Sequence, residues 1–121
     1  MKVIIAGSRG VLDFDEIKIA MLLFLMENGI ETSDVSEIVS GACYGADKLG
    51  ELWAQRKDIP VKLFPAKWKE YGMKAGPIRN AVMANYADAL VAVWDGKSRG
   101  TKNMISEAKK KGLVIYIYET A

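Results

Sequence analysis

Val3-Ile4-Ile5-Ala6 is an unbroken apolar run that stops at Gly7-Ser8-Arg9-Gly10, and this pattern constrains the fold more than any other feature of the chain. A strand with one face in water alternates apolar and polar residues. A strand apolar at every position is covered on both faces, as in parallel sheets flanked by helices. The helix that follows, Asp13 to about Asn28, carries Phe14, Ile17, Ala20, Met21, Phe24 and Leu25 at helical spacing, with Asp13 as its cap and Asn28-Gly29 as its stop. The same unit then recurs. Glu37 to Ser40 reads as a strand, Gly41 to Gly45 as a loop and Ala46 to Lys57 as a helix. Val61 to Phe64 is a third strand, Pro65 to Pro77 a longer connection, Ile78 to Tyr86 a helix and Ala89 to Trp94 a fourth strand. Asp95 to Thr101 breaks that strand, a helix runs from about Lys102 to Lys111, and Leu113 to Tyr118 is the fifth strand.

Strands alternating with helices form right-handed βαβ units. The expected fold is therefore α/β: a single Rossmann-like, doubly wound parallel sheet of about five strands with helices on both faces, one domain over residues 1–121. In the strand order 3-2-1-4-5 the chain reverses direction between the first and fourth strands, and the crevice outside their carboxyl ends is where such folds bind ligands.

Three loops supply candidate residues at that edge. Gly7, Ser8 and Arg9 offer backbone amides, a hydroxyl and a guanidinium to an anionic oxygen, or form a simple strand exit. The glycines are spaced G-x-x-G, not G-x-G-x-x-G, and no acidic residue closes the second strand, which disfavours a nicotinamide dinucleotide. Gly41, Tyr44, Gly45 and Asp47 precede or open the second helix, where close backbone approach suits phosphate or ribose oxygens, Tyr44 offers a stacking face, and Asp47 is equally a charge favouring the helix dipole. Cys43 reads as a small packed residue. Asp95, Ser98, Arg99, Gly100 and Thr101 form the most pointed signal, an anion loop at a helix mouth or a solvated cap. Between them, Trp68, Lys69, Tyr71, Lys74, Arg79 and Asn80 alternate aromatic and basic character, which suits a flat base carrying phosphate and equally suits a loop pinned by Trp68.

Composition removes several classes of function. With no histidine and one cysteine, imidazole-dependent triads and the common soft-metal sites are excluded, so no metal is expected. The formal charge of +2 announces no nucleic-acid coat. The longest apolar run, Ile19 to Met26, is far short of the ~20 residues that span a bilayer. Met1-Lys2 leads directly into a strand with no signal-peptide pattern, so the expectation is a cytoplasmic protein with no membrane partner. Leu22, Leu23 and Met26 widen the apolar stripe of the first helix, either for packing on a neighbour or as the contact of a homo-oligomer.

Gly7-Ser8-Arg9, Ser40 to Asp47, Ala75 to Asn80 with Met83, and Ser98-Arg99-Gly100-Thr101, four motifs in order, resemble the YspA-like branch of the SLOG superfamily. That superfamily comprises Rossmann-like relatives of the Lonely Guy phosphoribohydrolases and of DprA, and the resemblance implies a protein that senses or processes nucleotide-derived ligands. Arg79 and Met83 are similar to the Lonely Guy segment in which an arginine precedes a methionine by four, and Gly100-Thr101 to its phosphate loop. The catalytic glutamate of that pattern falls on Met104, with Glu107 one turn further along. The expected function is thus binding of a nucleotide or nucleotide-derived small molecule, with no other cofactor. The alternatives are a phosphoribohydrolase that uses Asp95, Asp47 or Glu107 as its carboxylate, and DprA-like binding of single-stranded DNA, which the near-neutral charge disfavours.

Overall fold

The computed structural model describes residues 1–120. Its strands are β1 (Lys2–Gly7), β2 (Glu37–Ser40), β3 (Val61–Leu63), β4 (Ala89–Trp94) and β5 (Val114–Glu119). The helices are α1 (Phe14–Asn28), α2 (Ala46–Arg56), α3 (Trp68–Tyr71), α4 (Ala75–Tyr86) and α5 (Arg99–Lys110), with 3-10 turns at Thr32–Asp34 and Gly72–Lys74. All five strands are parallel, in the order β3-β2-β1-β4-β5. The register runs Val3 beside Ala89 through Gly7 beside Val93, so β1 and β4 end at the same level of the sheet.

The apolar run in β1 feeds two cores. Val3 and Ile5 point to one face, with Ile38, Val91 and Val93, beneath Ile17, Met21 and Phe24 of α1 and Trp53 of α2. Ile4 and Ala6 point to the other, with Val39, Leu90 and Ala92, beneath Met83 of α4 and Met104 and Ile105 of α5. Val3, Ile4 and Ile5 are fully buried, which is why no polar residue interrupts them. The α1 helix starts and stops where its caps predict. Asp13 accepts the Asp15 N–H at 2.9 Å, and Gly29, at φ 62°, takes the left-handed conformation and donates to Leu25 and Met26. Leu22 and Met26 remain exposed on the outer face of α1. Among the described residues no helix is long and apolar enough to cross a membrane.

Two helix starts differ from expectation by three residues, and both matter for the site. The α4 helix begins at Ala75, not Ile78, so Gly76 and Pro77 form its first turn. Proline is tolerated there because the first amides of a helix have no intrahelical acceptor. The α5 helix begins at Arg99, not Lys102: Ser98 caps it, accepting the Thr101 N–H at 3.4 Å, and Arg99-Gly100-Thr101 is a helical turn where a loop was expected. The connection after β3 contains α3 and a 3-10 turn.

The α2 helix lies against β1 through Gly50. An added Cβ there would stand 2.7 Å from Ile5 Cγ2 and 2.8 Å from Ile5 Cβ, inside a fully buried side chain. Alanine is the better helix former by about 1 kcal/mol, but overpacking opposes it by about 1–3 kcal/mol. Gly50→Ala is expected to destabilise the protein in urea denaturation, reversing the sign that helix propensity alone gives.

Candidate functional site

The carboxyl ends of β1 and β4 are tied together at Ser8. Its N–H donates to the Val93 carbonyl at 3.1 Å, and its hydroxyl accepts the Asp95 N–H at 3.1 Å. Its carbonyl accepts the N–H of Val11 at 3.2 Å and of Ala46, the first residue of α2, at 3.3 Å. Two glycines make this approach possible. A Cβ on Gly7 would lie 2.0 Å from the Val93 oxygen. Gly45, at φ 78°, passes so close that a Cβ would lie 2.5 Å from the Ser8 oxygen.

Above this junction opens a cleft of about 630 Å³, within the size range of small-molecule sites. Of the residues singled out from the sequence, Gly7, Ser8, Arg9, Asp47, Trp68, Arg79, Asn80, Asp95, Ser98, Arg99, Gly100 and Thr101 all line it. The backbone N–H groups of Arg9 and Gly10 meet no described protein acceptor, and neither do those of Arg99 and Gly100 in the first turn of α5. Both sets belong to loops that line the same cavity. Asp95 organises the second loop: its Oδ1 accepts the N–H groups of Lys97 and Ser98, each at 2.8 Å. These bonds hold its carboxyl below the usual carboxylate range.

Four candidates fall elsewhere. Tyr44 is 81% exposed and does not line the cleft, so the structure gives it no stacking position there. Gly41 and Gly45 lie outside the lining and act through the backbone. Gly41 leaves room for Arg79, whose Nη1 would stand 2.5 Å from an added Cβ. Glu107 lies six positions beyond Thr101, about 9 Å along the axis of an α-helix. It lines a separate shallow groove with Ala81 and Asn85 and pairs with Lys110 at 3.2 Å. It cannot substitute for the glutamate whose position Met104 occupies; Met104 itself lines the cleft and is buried.

Arg79 also differs from a free anion-binding cation. Its Nη1 donates to the carbonyls of Gly41 and of Phe64, the latter at 3.3 Å, its Nε donates to Asn80 Oδ1 at 2.9 Å, and its Nη2 lies 3.7 Å from Cys43 Sγ. The guanidinium clamps the loops after β2 and β3 to α4. Asp47, 6% exposed, accepts the Cys43 N–H at 3.2 Å. Burial pushes its carboxyl up to about 6, against the opposing pull of that N–H and of Arg79. Pro77 and Met83, read from the sequence only as parts of the family motif, also line the cleft, as do Met73 and Asn103, which were not anticipated. Asn103 had one signal, its place three residues after Gly100 and so on the same side of the helix.

A five-stranded parallel sheet in this order, with helices on both faces, defines the Rossmann-like α/β class. Within it, a family model, YAcAr, matches residues 1–71, and the chain belongs to the YspA, cpYpsA-related SLOG family. Membership supports a nucleotide-related role. Gene 61 protein of Mycobacterium phage D29 is 33% identical over 84 residues, 64% of this chain and 67% of that protein. The X-ray structure of DNA processing protein A (DprA) from Streptococcus pneumoniae matches with a TM-score of 0.67 at 16% identity, over 99% of this chain and 50% of that one. The chain therefore spans half the length of that protein, and the likeness is one of fold.

Two predictions separate frame from surface. Arg79→Ala is expected to destabilise the fold by about 2–4 kcal/mol, because it leaves buried carbonyls unpaired, whereas Arg9→Ala at an exposed position changes stability by less than about 0.5 kcal/mol; urea titration distinguishes them. For Asp47, the folded pKa of about 6 lies above the ordinary 3.8, so its contribution is most favourable at low pH and is lost as pH rises through 6. Asp47→Asn is expected to gain on the wild type by about 1–3 kcal/mol between pH 4 and 7.5. A difference in stability that stays flat over that interval would contradict this assignment.

Proposed function

We propose that the cleft binds a nucleotide or nucleotide-derived ligand. The observation that carries this reading is that two loops lining one cavity at the switch point of the sheet, at Arg9-Gly10 and Arg99-Gly100, each carry backbone N–H groups with no described protein acceptor. These groups, with the guanidinium groups of Arg9 and Arg99, hold the phosphate. Trp68, 47% exposed and lining the same cleft, offers its face to the base. The ligand is bound without loss of its base. Hydrolysis needs a carboxylate at the ribose, but Met104 is apolar, Asp95 is engaged in its own turn and Asp47 is buried beside Arg79.

A second reading, contact with a single nucleic-acid strand, is favoured by charge placement. Although the net charge is only +2, Arg9, Lys69, Lys74, Lys97, Arg99 and Lys102 are all exposed on the segments that form the cleft and its edge, beside Trp68. Local concentration of cations with an aromatic face suits a strand as well as a mononucleotide.

Isothermal titration with nucleoside mono-, di- and cyclic phosphates tests the first reading. Binding of at least one is expected, weakened about tenfold or more in Arg9→Ala and Arg99→Ala, with no free base in the chromatogram after incubation. Absence of heat with the whole panel defeats the reading, and release of base would make the protein a hydrolase. Affinity confined to oligonucleotides and falling steeply with salt would favour the second.

A further inference from the structure

A network of side-chain amides on the wall formed by α4 and α5 fixes the orientation of Asn103. Arg79 Nε is only a donor, and it lies 2.9 Å from the Asn80 side chain, so the Asn80 atom at that contact is the carbonyl Oδ1. The other end of the Asn80 amide is then its NH2, and it meets two groups: the Gly100 carbonyl at 3.3 Å, which only accepts, and the Asn103 side chain at 2.9 Å. Asn103 must accept through its own Oδ1. A guanidinium anchors one end of this relay and a backbone carbonyl the other, so neither amide can reverse without leaving a donor against a donor. Asn80 is 5% exposed, and water offers it no ready substitute.

Asn103 is therefore left with a free NH2. That group meets no acceptor among the described residues, and Asn103 is half-buried and lines the cleft. It stands one turn beyond Gly100 on α5, and helical side chains lean toward the N-terminus of their helix. The NH2 thus extends the set of unpaired donors at Arg99 and Gly100.

We propose that Asn103 is a fixed hydrogen-bond donor to a phosphate oxygen of the ligand, and that Asn80 and Arg79 are positioning residues which hold its NH2 toward the cleft. This rests on the nucleotide reading and assigns a binding role to a residue outside the glycine loops. A fixed donor can serve a hydroxyl oxygen but leaves the hydroxyl's own proton without an acceptor, whereas an ionised oxygen only accepts and binds the donor more strongly, so the site favours the ionised oxygen. Asn103→Asp keeps the shape and the bond from Asn80 but turns a carboxylate oxygen toward the anion. Asn80→Asp still accepts from Arg79 but no longer donates, so Asn103 must turn its oxygen into the cleft.

The test titrates inorganic phosphate, AMP and adenosine into the intact ¹⁵N-labelled protein while following the Asn103 side-chain NH2 resonances. Phosphate and AMP are expected to shift that pair, and adenosine to leave it in place. Asn103→Asp weakens both anions about tenfold or more with an unchanged melting temperature, and Asn80→Asp weakens them with Asn103 itself intact. Should Asn80→Asp fail to fold, Asn103→Asp and the resonances still decide. Wild-type affinity for AMP in Asn103→Asp overturns this inference and leaves the nucleotide reading standing. If the wild type binds neither phosphate nor AMP, both fall.

Discussion

One residue, Ser8, holds the carboxyl edge of the sheet together. Its N–H donates to the Val93 carbonyl near the end of β4, its hydroxyl accepts from the loop after β4, and its carbonyl accepts from the first residue of α2. Three chain segments distant in sequence take their positions from these bonds, and Gly7 and Gly45 are small because the approach leaves no volume for a side chain. The loops gain rigidity from backbone bonding, so the side chains on their outer surfaces remain available for a ligand.

Arg79 has the same role on the opposite wall. A guanidinium offers several donors in a planar fork, and here they gather carbonyls from two loops and orient the Asn80 amide. Asp47 is partly compensated by the same cation, which is how a carboxylate survives beneath the cleft although burial raises its proton affinity. The polar wall is thus connected, with no buried side-chain nitrogen or oxygen lacking a partner among the described residues. Such a network keeps its geometry only while every member is present.

The fold was legible because burial on both faces leaves a signature in the central strands of a parallel sheet. Val3 to Ala6 and Ala89 to Trp94 have no polar interruption, and the glycine-rich breaks after them mark the edge where ligands bind. The strand order came through intact, while the loop expected over Asp95 to Thr101 gives up Arg99-Gly100-Thr101 to the first turn of α5. Residue roles were less legible, because they depend on which way a side chain faces after the chain has crossed the sheet. Arg79 reads as a free cation until the carbonyls of Gly41 and Phe64 are placed around it. Tyr44 reads as a stacking face until its loop directs it to solvent, and Glu107 as a substitute acid until the helix carries it away from the cleft. Asn103 had no partner visible in the sequence, since Asn80 meets it across 23 positions.

The bond between Ser8 and Asp95 spans 87 positions. The two loops proposed to bind the anion, one on either side of it, are therefore synthesised far apart in time. A nascent chain that has produced β1, β2 and β3 holds one of them and lacks the strand that places the other. Closure across so long a separation comes late in folding, after its loop entropy has been offset by the sheet. A ligand bridging the two loops consequently meets only the completed sheet, and its binding energy adds to the stability of the whole fold. On the nucleotide reading proposed above, a filled cleft is a sign that the last βαβ unit has closed, and the ligand ties the lifetime of the folded chain to its own supply.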